Sequence, residues 1–327
     1  MLKNTPTQSG SQGPTYEIAF QMDPIGELNV AGDSTLCLMQ VAQERGHKIW
    51  YYHPRDLTYR AGPITAYAYP VHITGDPENY CRLGEARRLD LAQDIDIVML
   101  RQDPPFDMAY LTTTWILEML EGQTYVSNNP AAVRNAPEKL FVTRFADLMP
   151  ATIITHSIDV IREFCREVGE VVIKPLYGNG GAAIFHIGED ERNLASLVEY
   201  FALTMREPII AQQFLPQVKD GDKRIILIDG EPVGCFNRVP KSGEIRSNLA
   251  TGGQAVRSVL TKREEEICAR IGPELRAQEL LFAGVDIIDG WLTEINVTSP
   301  TGLRNLDALE GINSAALLWD AIDKRMG

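Results

Sequence analysis

Two Asp-Gly pairs, each set between apolar runs, constrain the last third of this chain more than any other feature. Ile225–Ile228 leads into Asp229-Gly230 and on to Pro232–Asn237; Val285–Ile288 leads into Asp289-Gly290 and on to Trp291–Val297. A two-residue Asp-Gly loop supplies the positive φ that a type I′ turn needs at both central positions. Each pair therefore predicts a β-hairpin. Between them, Lys241–Arg257 is rich in Gly, Ser and Asn and reads as a mobile loop. Thr261-x-x-Glu264 reads as a capping box, opening a helix with Ile267, Ile271 and Leu275 on one face. The closing helix carries Ile312, Ala315, Ala316, Trp319 and Ile322.

The first two thirds read differently. Tyr16–Met22, Lys48–His53, Ile95–Leu100 and Thr124–Ser127 are apolar runs of strand length. Asp33 and Asp107 stand where N-caps belong, ahead of helices running to Gly46 and Leu120. This alternation predicts a parallel sheet covered by helices, with a hairpin inside Ala61–Arg87. At Asn135-x-x-Glu138, read as a second capping box with Pro137 in the first turn, the pattern changes. Short strands follow at Ala151–Thr155, Val171–Leu176, Ala182–Ile187 and Pro208–Phe214, with helices over Ile158–Val168 and Arg192–Met205. The expected organisation is a tail over 1–15, an α/β unit over 16–135, a small α+β unit over 136–215 and a second α+β unit over 216–327.

Charge narrows the partners. The chain holds 31 Lys and Arg against 44 Asp and Glu, a net charge of −13. Neutralising a nucleic-acid backbone needs a basic face, so nucleic acid is excluded as the main partner, while one small anion stays open. No run approaches the roughly 18 apolar residues of a membrane helix, and no membrane partner is expected. Met1–Thr15 lacks the apolar stretch of a signal peptide and reads as a disordered tail. Cys37, Cys81, Cys165, Cys235 and Cys268 are odd in number and scattered, giving neither a disulfide framework nor a zinc site. A reducing cytoplasm fits.

Chemistry concentrates in a few places. Gly178-Asn179-Gly180-Gly181 with Ala183 mimics a dinucleotide fingerprint, which needs a helix after it; the following Ala182–Ile187 reads as a strand. A glycine tip between two strands can donate backbone N–H groups to a triphosphate, although alone it is more simply an ordinary hairpin turn. Lys174 on the strand feeding that tip, and Lys139 at a helix start, are cations from different elements; the pair tips the balance to nucleotide. Asp286 with Glu294-x-Asn296 is the strongest local signal. Residues two apart on a strand share a face, and the Asp289-Gly290 turn returns the strand of Asp286 alongside. Three oxygen-bearing side chains there suit magnesium, which fills the rest of its shell with water and phosphate. Arg101, Arg224 and Arg246 can grip phosphate or carboxylate bidentately, a surface ion pair being the simpler reading of any one of them.

Taken in order, several segments resemble the bacterial glutathione synthetases of the ATP-grasp superfamily. They are Gln21-Met22-Asp23-Pro24-Ile25, the run Met99 to Asp107 (MLRQDPPFD), Lys139, Lys174-Pro175-Leu176-x-Gly178-x-Gly180-Gly181, Gln212–Pro216, Gly221-Asp222-Lys223-Arg224, Asp286 and Thr293–Thr301. The likeness spans the chain from Tyr16. It implies an N-terminal parallel-sheet (preATP-grasp-like) domain, then an ATP-grasp fold whose two α+β subdomains enclose the nucleotide. It also implies a reaction: ATP, with magnesium or manganese, phosphorylates the C-terminal carboxylate of γ-glutamylcysteine, and glycine displaces the phosphate.

On that likeness Lys139, Lys174, Gly178, Asn179, Gly180, Gly181 and Asp222 hold ATP, and Gln213, Phe214 and Leu215 read adenine. Asp286, Glu294 and Asn296 hold the metal, Arg224 and Arg246 are catalytic, and Arg101, Asn248, Ser299 and Thr301 contact the peptide. A homo-oligomer and a lid over Lys241–Arg257 are implied too. Two positions depart from the family's pattern: Gln254 stands where arginine is common in the lid, and Asn305 where glutamate is. Other readings are a ligase joining a different peptide or amino acid, a nucleotide-binding paralogue with weakened catalysis, and a nicotinamide dehydrogenase, which fails if a strand follows Gly181.

Overall fold

The computed structural model describes residues 14–178, 180–188, 190–244 and 246–327. Most of the expected tail, and Asn179 of the glycine tip, lie outside the described residues. The N-terminal part runs β1 (Glu17–Met22), α1 (Ser34–Glu44), β2 (Lys48–Tyr52), β3 (Leu57–Tyr59), β4 (Ile64–Ile73), β5 (Cys81–Leu83), β6 (Arg87–Asp90), β7 (Ile97–Arg101), α2 (Met108–Glu118) and β8 (Tyr125–Ser127). Strands β2-β1-β7-β8 are parallel, as the alternation predicts. The Asp33 and Asp107 carboxylates accept the N–H groups of Leu36 and Tyr110 at 2.6 and 2.9 Å, capping both helices. The sheet is not all parallel, however. The stretch expected to hold one hairpin contains the long β4, antiparallel to β2, β3, β5 and β6.

Next come α3 (Pro130–Asn135) and α4 (Glu138–Phe141), and here an expectation fails. Asn135 ends α3, and the N-cap of α4 is Pro137, with no side-chain bond. A residue before proline is pushed out of the helical region, so the chain breaks at Ala136 and Asn135 cannot reach forward to cap. Then follow β9 (Thr152–Thr155), α5 (Ile158–Val168), β10 (Val171–Pro175), β11 (Phe185–Ile187), α6 (Leu194–Thr204) and β12 (Ile209–Gln213), whose strands form the antiparallel sheet β11-β10-β12-β9. Strand β11 starts at Phe185 rather than Ala182, because Gly180, Gly181 and Ala183 all take positive φ and turn the chain first.

The last part contains β13 (Asp222–Ile228), β14 (Glu231–Val239), β15 (Gln254–Arg257), α7 (Lys262–Ala277), β16 (Phe282–Ile288), β17 (Trp291–Asn296), α8 (Leu303–Glu310) and α9 (Ser314–Met326). Its antiparallel sheet is ordered β15-β14-β13-β16-β17. Both Asp-Gly turns have the expected backbone, φ being 50° and 73° at Asp229 and Gly230, and 50° and 75° at Asp289 and Gly290. Thr261 and Glu264 form the reciprocal capping box. Lys241–Arg257 is not loop throughout: its last four residues pair with β14 as β15. Ile312 precedes α9 rather than belonging to it.

The first and third sheets share their cores. Ala19 and Val98 pack in one cluster with Ala283 and Val285, and Phe20 and Met39 in another with Phe236 and Trp319. The middle sheet and its helices bury Ile161, Phe164, Ile173 and Phe201 in a core of their own. A separate core is the condition for that unit to move as one body. Among the described residues no helix is long and apolar enough to cross a membrane.

His47 sits between the rings of Tyr16 and Trp319, with centroids at 5.2 and 5.7 Å, and its Nδ1 accepts the N–H of Tyr16 at 3.2 Å. Burial holds this imidazole below its usual range, against the upward pull of Asp323. As pH falls through about 6.5 the unfolded chain therefore takes up this proton first, and stability drops. Glu138, which burial pushes up to about 7, titrates over the same range with the opposite sign. The difference between wild type and His47→Gln isolates the imidazole. From pH 7.5 to about 5.5 the wild-type urea midpoint should fall relative to that of the variant; parallel curves would contradict this role.

Candidate active site

A cavity of about 400 Å³ lies between the middle and third sheets, with α4 and the glycine tip on its walls. Its floor is the polar face of β13, β14, β16 and β17. In-register pairing sets Asp286 opposite Glu294 across β16 and β17, and Asp222 opposite Arg238 across β13 and β14. Asn296 donates from Nδ2 to Asp286 Oδ2 at 3.3 Å. The three oxygen-bearing side chains expected on one face are therefore together.

Five acids and five bases line this cavity: Asp103, Glu138, Asp222, Asp286 and Glu294 with Lys139, Lys174, Arg224, Arg238 and Arg246. Lys174, on β10 of the middle unit, reaches Glu294 at 3.4 Å; Lys139 reaches it at 3.6 Å, bonds Glu138, and donates to the Gly178 carbonyl at 2.6 Å. Arg224 grips Asp286 bidentately at 2.5 and 3.0 Å. Arg238 spans Asp222 at 2.6 Å and Asp286 at 3.0 Å. Buried charges persist only when paired in this way.

The electrostatics follow from these neighbours. Burial raises the Glu294 carboxyl, but Lys139, Lys174 and Arg238 outweigh it and bring the group down to about 2. Burial and the charge of Glu294 push Glu138 up to about 7. Burial lowers Lys139, yet Glu294 and Glu138 more than offset this and hold its ammonium above the usual lysine range. Burial also raises Asp222, whose Oδ1 has no hydrogen-bond partner among the described residues.

Gly178, Gly180 and Gly181 line the cavity, and a strand rather than a helix follows the tip, so the dinucleotide fingerprint fails. Gln213, Phe214 and Leu215 line the cavity too, as do the apolar Val172, Ile184 and Ile288. The N–H groups of Gln213 and Phe214 are already given to the Ala151 and Glu170 carbonyls, each at 2.8 Å. The N–H of Leu215 makes no such bond among the described residues. Arg246, Asn248, Ser299 and Thr301 also line the cavity, although Arg246 is paired outward with Glu244 at 2.9 Å. Arg101 is not brought in. It is 4% exposed, donates from Nε to Thr35 Oγ1 at 2.9 Å, and does not line the cavity. Neither Gln254 nor Asn305 lines it either.

Two site residues escaped the sequence reading. Arg238 lay one residue beyond the expected strand end at Asn237, although alternation from Phe236 puts it on the inner face. Glu138, as half of an expected capping box, reads from the sequence as part of a helix start.

The donor set fits a divalent ion. Two carboxylates and an amide oxygen on adjacent strands are hard ligands, few enough to leave places for phosphate and water.

The model for the prokaryotic glutathione synthetase N-terminal domain matches residues 16–134, and that for the prokaryotic glutathione synthetase ATP-grasp domain matches residues 138–311. The chain is 50% identical to the glutathione synthetase of Agrobacterium fabrum over 94% of this chain and 96% of that protein. Among solved structures it resembles the D-cycloserine synthetase DcsG (TM-score 0.68, 14% identity, 95% of this chain and 100% of that one). It also resembles the ATP-grasp ligase PsnB complexed with a precursor variant, Mg and ADP (TM-score 0.61, 16% identity, 96% and 100%).

Proposed function

The chain belongs to the prokaryotic glutathione synthetase family, and we propose that the ionic cluster in its cleft is the machinery of that family's reaction. It is an ATP-dependent ligase that forms glutathione. The observation that supports the assignment of residues is convergence. Lys139, Lys174, Asp286, Glu294 and Asn296 come from α4, β10, β16 and β17 and line one cavity.

The reaction joins two anions. The γ-glutamylcysteine carboxylate attacks the terminal phosphorus of ATP and ADP leaves; the glycine amine then attacks the acyl carbon, phosphate leaves, and the amine loses a proton. Repulsion between carboxylate and triphosphate is the main obstacle, and fixed cations in a water-poor cleft act strongly against it. Lys139 and Lys174 turn from Glu294 to the phosphates. Arg224 and Arg238, released from Asp286, grip the transferring phosphoryl group and the acyl oxygen, with Arg246 at the rim. Asp286, Glu294 and Asn296 hold magnesium, or manganese in its place, which when bound neutralises phosphate charge. The apolar Val172, Ile184 and Ile288, with the N–H of Leu215, take adenine, and Asn248, Ser299 and Thr301 face the peptide. By family likeness the proposal extends to a homo-oligomer in the cytoplasm, checked by molar mass in solution.

The test is phosphate release from ATP with γ-glutamylcysteine, with and without glycine. Release should depend strongly on glycine and match the glutathione made. Release that ignored glycine would overturn this reading.

A further inference from the structure

No residue of the run Asp103 to Asp107 has a part in the reaction as set out above, yet the run stands at the edge of the site. It leaves β7 at its carboxyl end, and Asp103 and Pro104 line the main cavity. Two bonds hold its start. Asp23 Oδ2 accepts the N–H of Asp103 at 2.7 Å, and Ser299 Oγ donates to the Arg101 carbonyl at 3.2 Å. Phe106 packs on the wholly buried ring of Tyr110 with centroids 5.4 Å apart. It also stacks on Tyr177, at 5.8 Å and 17° between the ring planes. Tyr177 directly precedes Gly178 of the glycine tip. Among the described residues this is the one aromatic pair that joins the N-terminal unit to the middle unit.

The first and third sheets share their cores, whereas the middle unit has its own. On the ligase reading that divide separates the two reactants. The glycine tip and Lys174 hold phosphate from the middle unit, while Asn248, Ser299 and Thr301 face the peptide from the other body. Among the described residues two side-chain polar ties cross the divide: Lys174 to Glu294 at 3.4 Å, and Lys139 to the Gly178 carbonyl at 2.6 Å. Both rest on lysines that turn to the phosphates when ATP binds. The ring stack needs neither lysine and outlasts that exchange.

We propose that Phe106 and Tyr177 are positioning residues, whose stack keeps the glycine tip in register with the peptide during phosphoryl transfer. The inference rests on the ligase reading above. Neither ring is asked to touch the reacting atoms; each acts through the body that carries it. Transfer of the terminal phosphoryl group to a carboxylate oxygen depends steeply on how the two are placed, a misplacement of about 1 Å costing about 10²-fold. The affinity of each body for its own ligand depends on contacts within that body and does not share this steepness.

The experiment follows single-turnover glutathione formation, with enzyme in excess of γ-glutamylcysteine and with ATP and glycine saturating, so that it reads the chemical steps. Dissociation constants for magnesium-ADP and for γ-glutamylcysteine are measured separately by calorimetry. Tyr177 is 37% exposed, so Tyr177→Ala is expected to fold. It should lower the single-turnover rate by about tenfold, with both dissociation constants within about twofold of wild type. Tyr177→Phe keeps the ring and should keep the wild-type rate. Phe106→Leu should lose rate as well, and the double variant should be no slower than the slower single one, because the pair acts as a unit. A purely structural role would instead move the thermal midpoint and both dissociation constants. A wild-type rate in Tyr177→Ala, an equal loss in Tyr177→Phe, weaker ADP binding at an unchanged rate, or additive losses in the double variant each overturn the stack. Wild-type protein that releases no phosphate with γ-glutamylcysteine overturns the ligase reading instead, so the two failures are distinguishable.

Discussion

Glu294→Gln is expected to lower phosphate release with γ-glutamylcysteine by about 10³-fold, with the thermal midpoint little changed. The substitution keeps the shape and one oxygen, and removes a charge that Lys139 and Lys174 hold down to about 2. Losing one partner of a buried pair ordinarily costs about 3–5 kcal/mol, but here the cluster compensates. Lys139 keeps Glu138 and the Gly178 carbonyl. Glu138 is raised by burial and then by Glu294 itself, so removing Glu294 lets Glu138 ionise more readily and take over as counter-charge. Activity falls because the metal loses a carboxylate on the proposed assignment. Wild-type rates in the variant would remove that assignment. A collapsed thermal midpoint would mean that Glu294 serves the fold instead.

Gly272→Ala is expected to destabilise the protein by about 2–4 kcal/mol, although alanine is intrinsically favoured over glycine in a helix by about 1 kcal/mol. Helix α7 crosses the Asp229-Gly230 turn at backbone contact. A Cβ at Gly272 would lie 2.2 Å from the Gly230 carbonyl oxygen, and one at Gly230 would lie 2.4 Å from the Gly272 carbonyl oxygen. Both obstacles are main chain, so no rotamer change relieves them, and the helix must lift off β13 and β14. A urea titration reads the change. Gly188→Ala, where a Cβ meets nothing within 4 Å, is the control expected to shift little. An unchanged midpoint for Gly272→Ala would show that the helix gives way more easily than packed backbone should.

What could be read from the sequence was what neighbours along the chain encode. The Asp-Gly turns, the Asp33 and Asp107 caps and the Glu294-x-Asn296 alternation are local, and each stands as expected. What stayed hidden depends on distant partners. Nothing near Gly272 announces Gly230. Arg101 has the residue type of a substrate ligand, but its strand turns the side chain into the protein, and only the packing of Thr35 against it reveals that. Arg238 and Glu138 were concealed by boundary errors of one residue and one cap. Arg246 enters the cavity rim, yet its nearest opposite charge is Glu244 on the same loop.

The Lys174–Glu294 pair joins the separately cored middle unit to the third sheet. On the proposed assignment, Glu294 thus gives Lys139 and Lys174 the anion that the triphosphate would otherwise supply. Magnesium by itself would strip Lys174 of its counter-ion and leave Lys139 with Glu138 alone, and nucleotide by itself would be left facing bare carboxylates. Each ligand alone meets opposition, while the two together exchange partners with little charge left over. Metal and nucleotide should therefore enhance each other's affinity by the same factor, a thermodynamic necessity once either depends on the other.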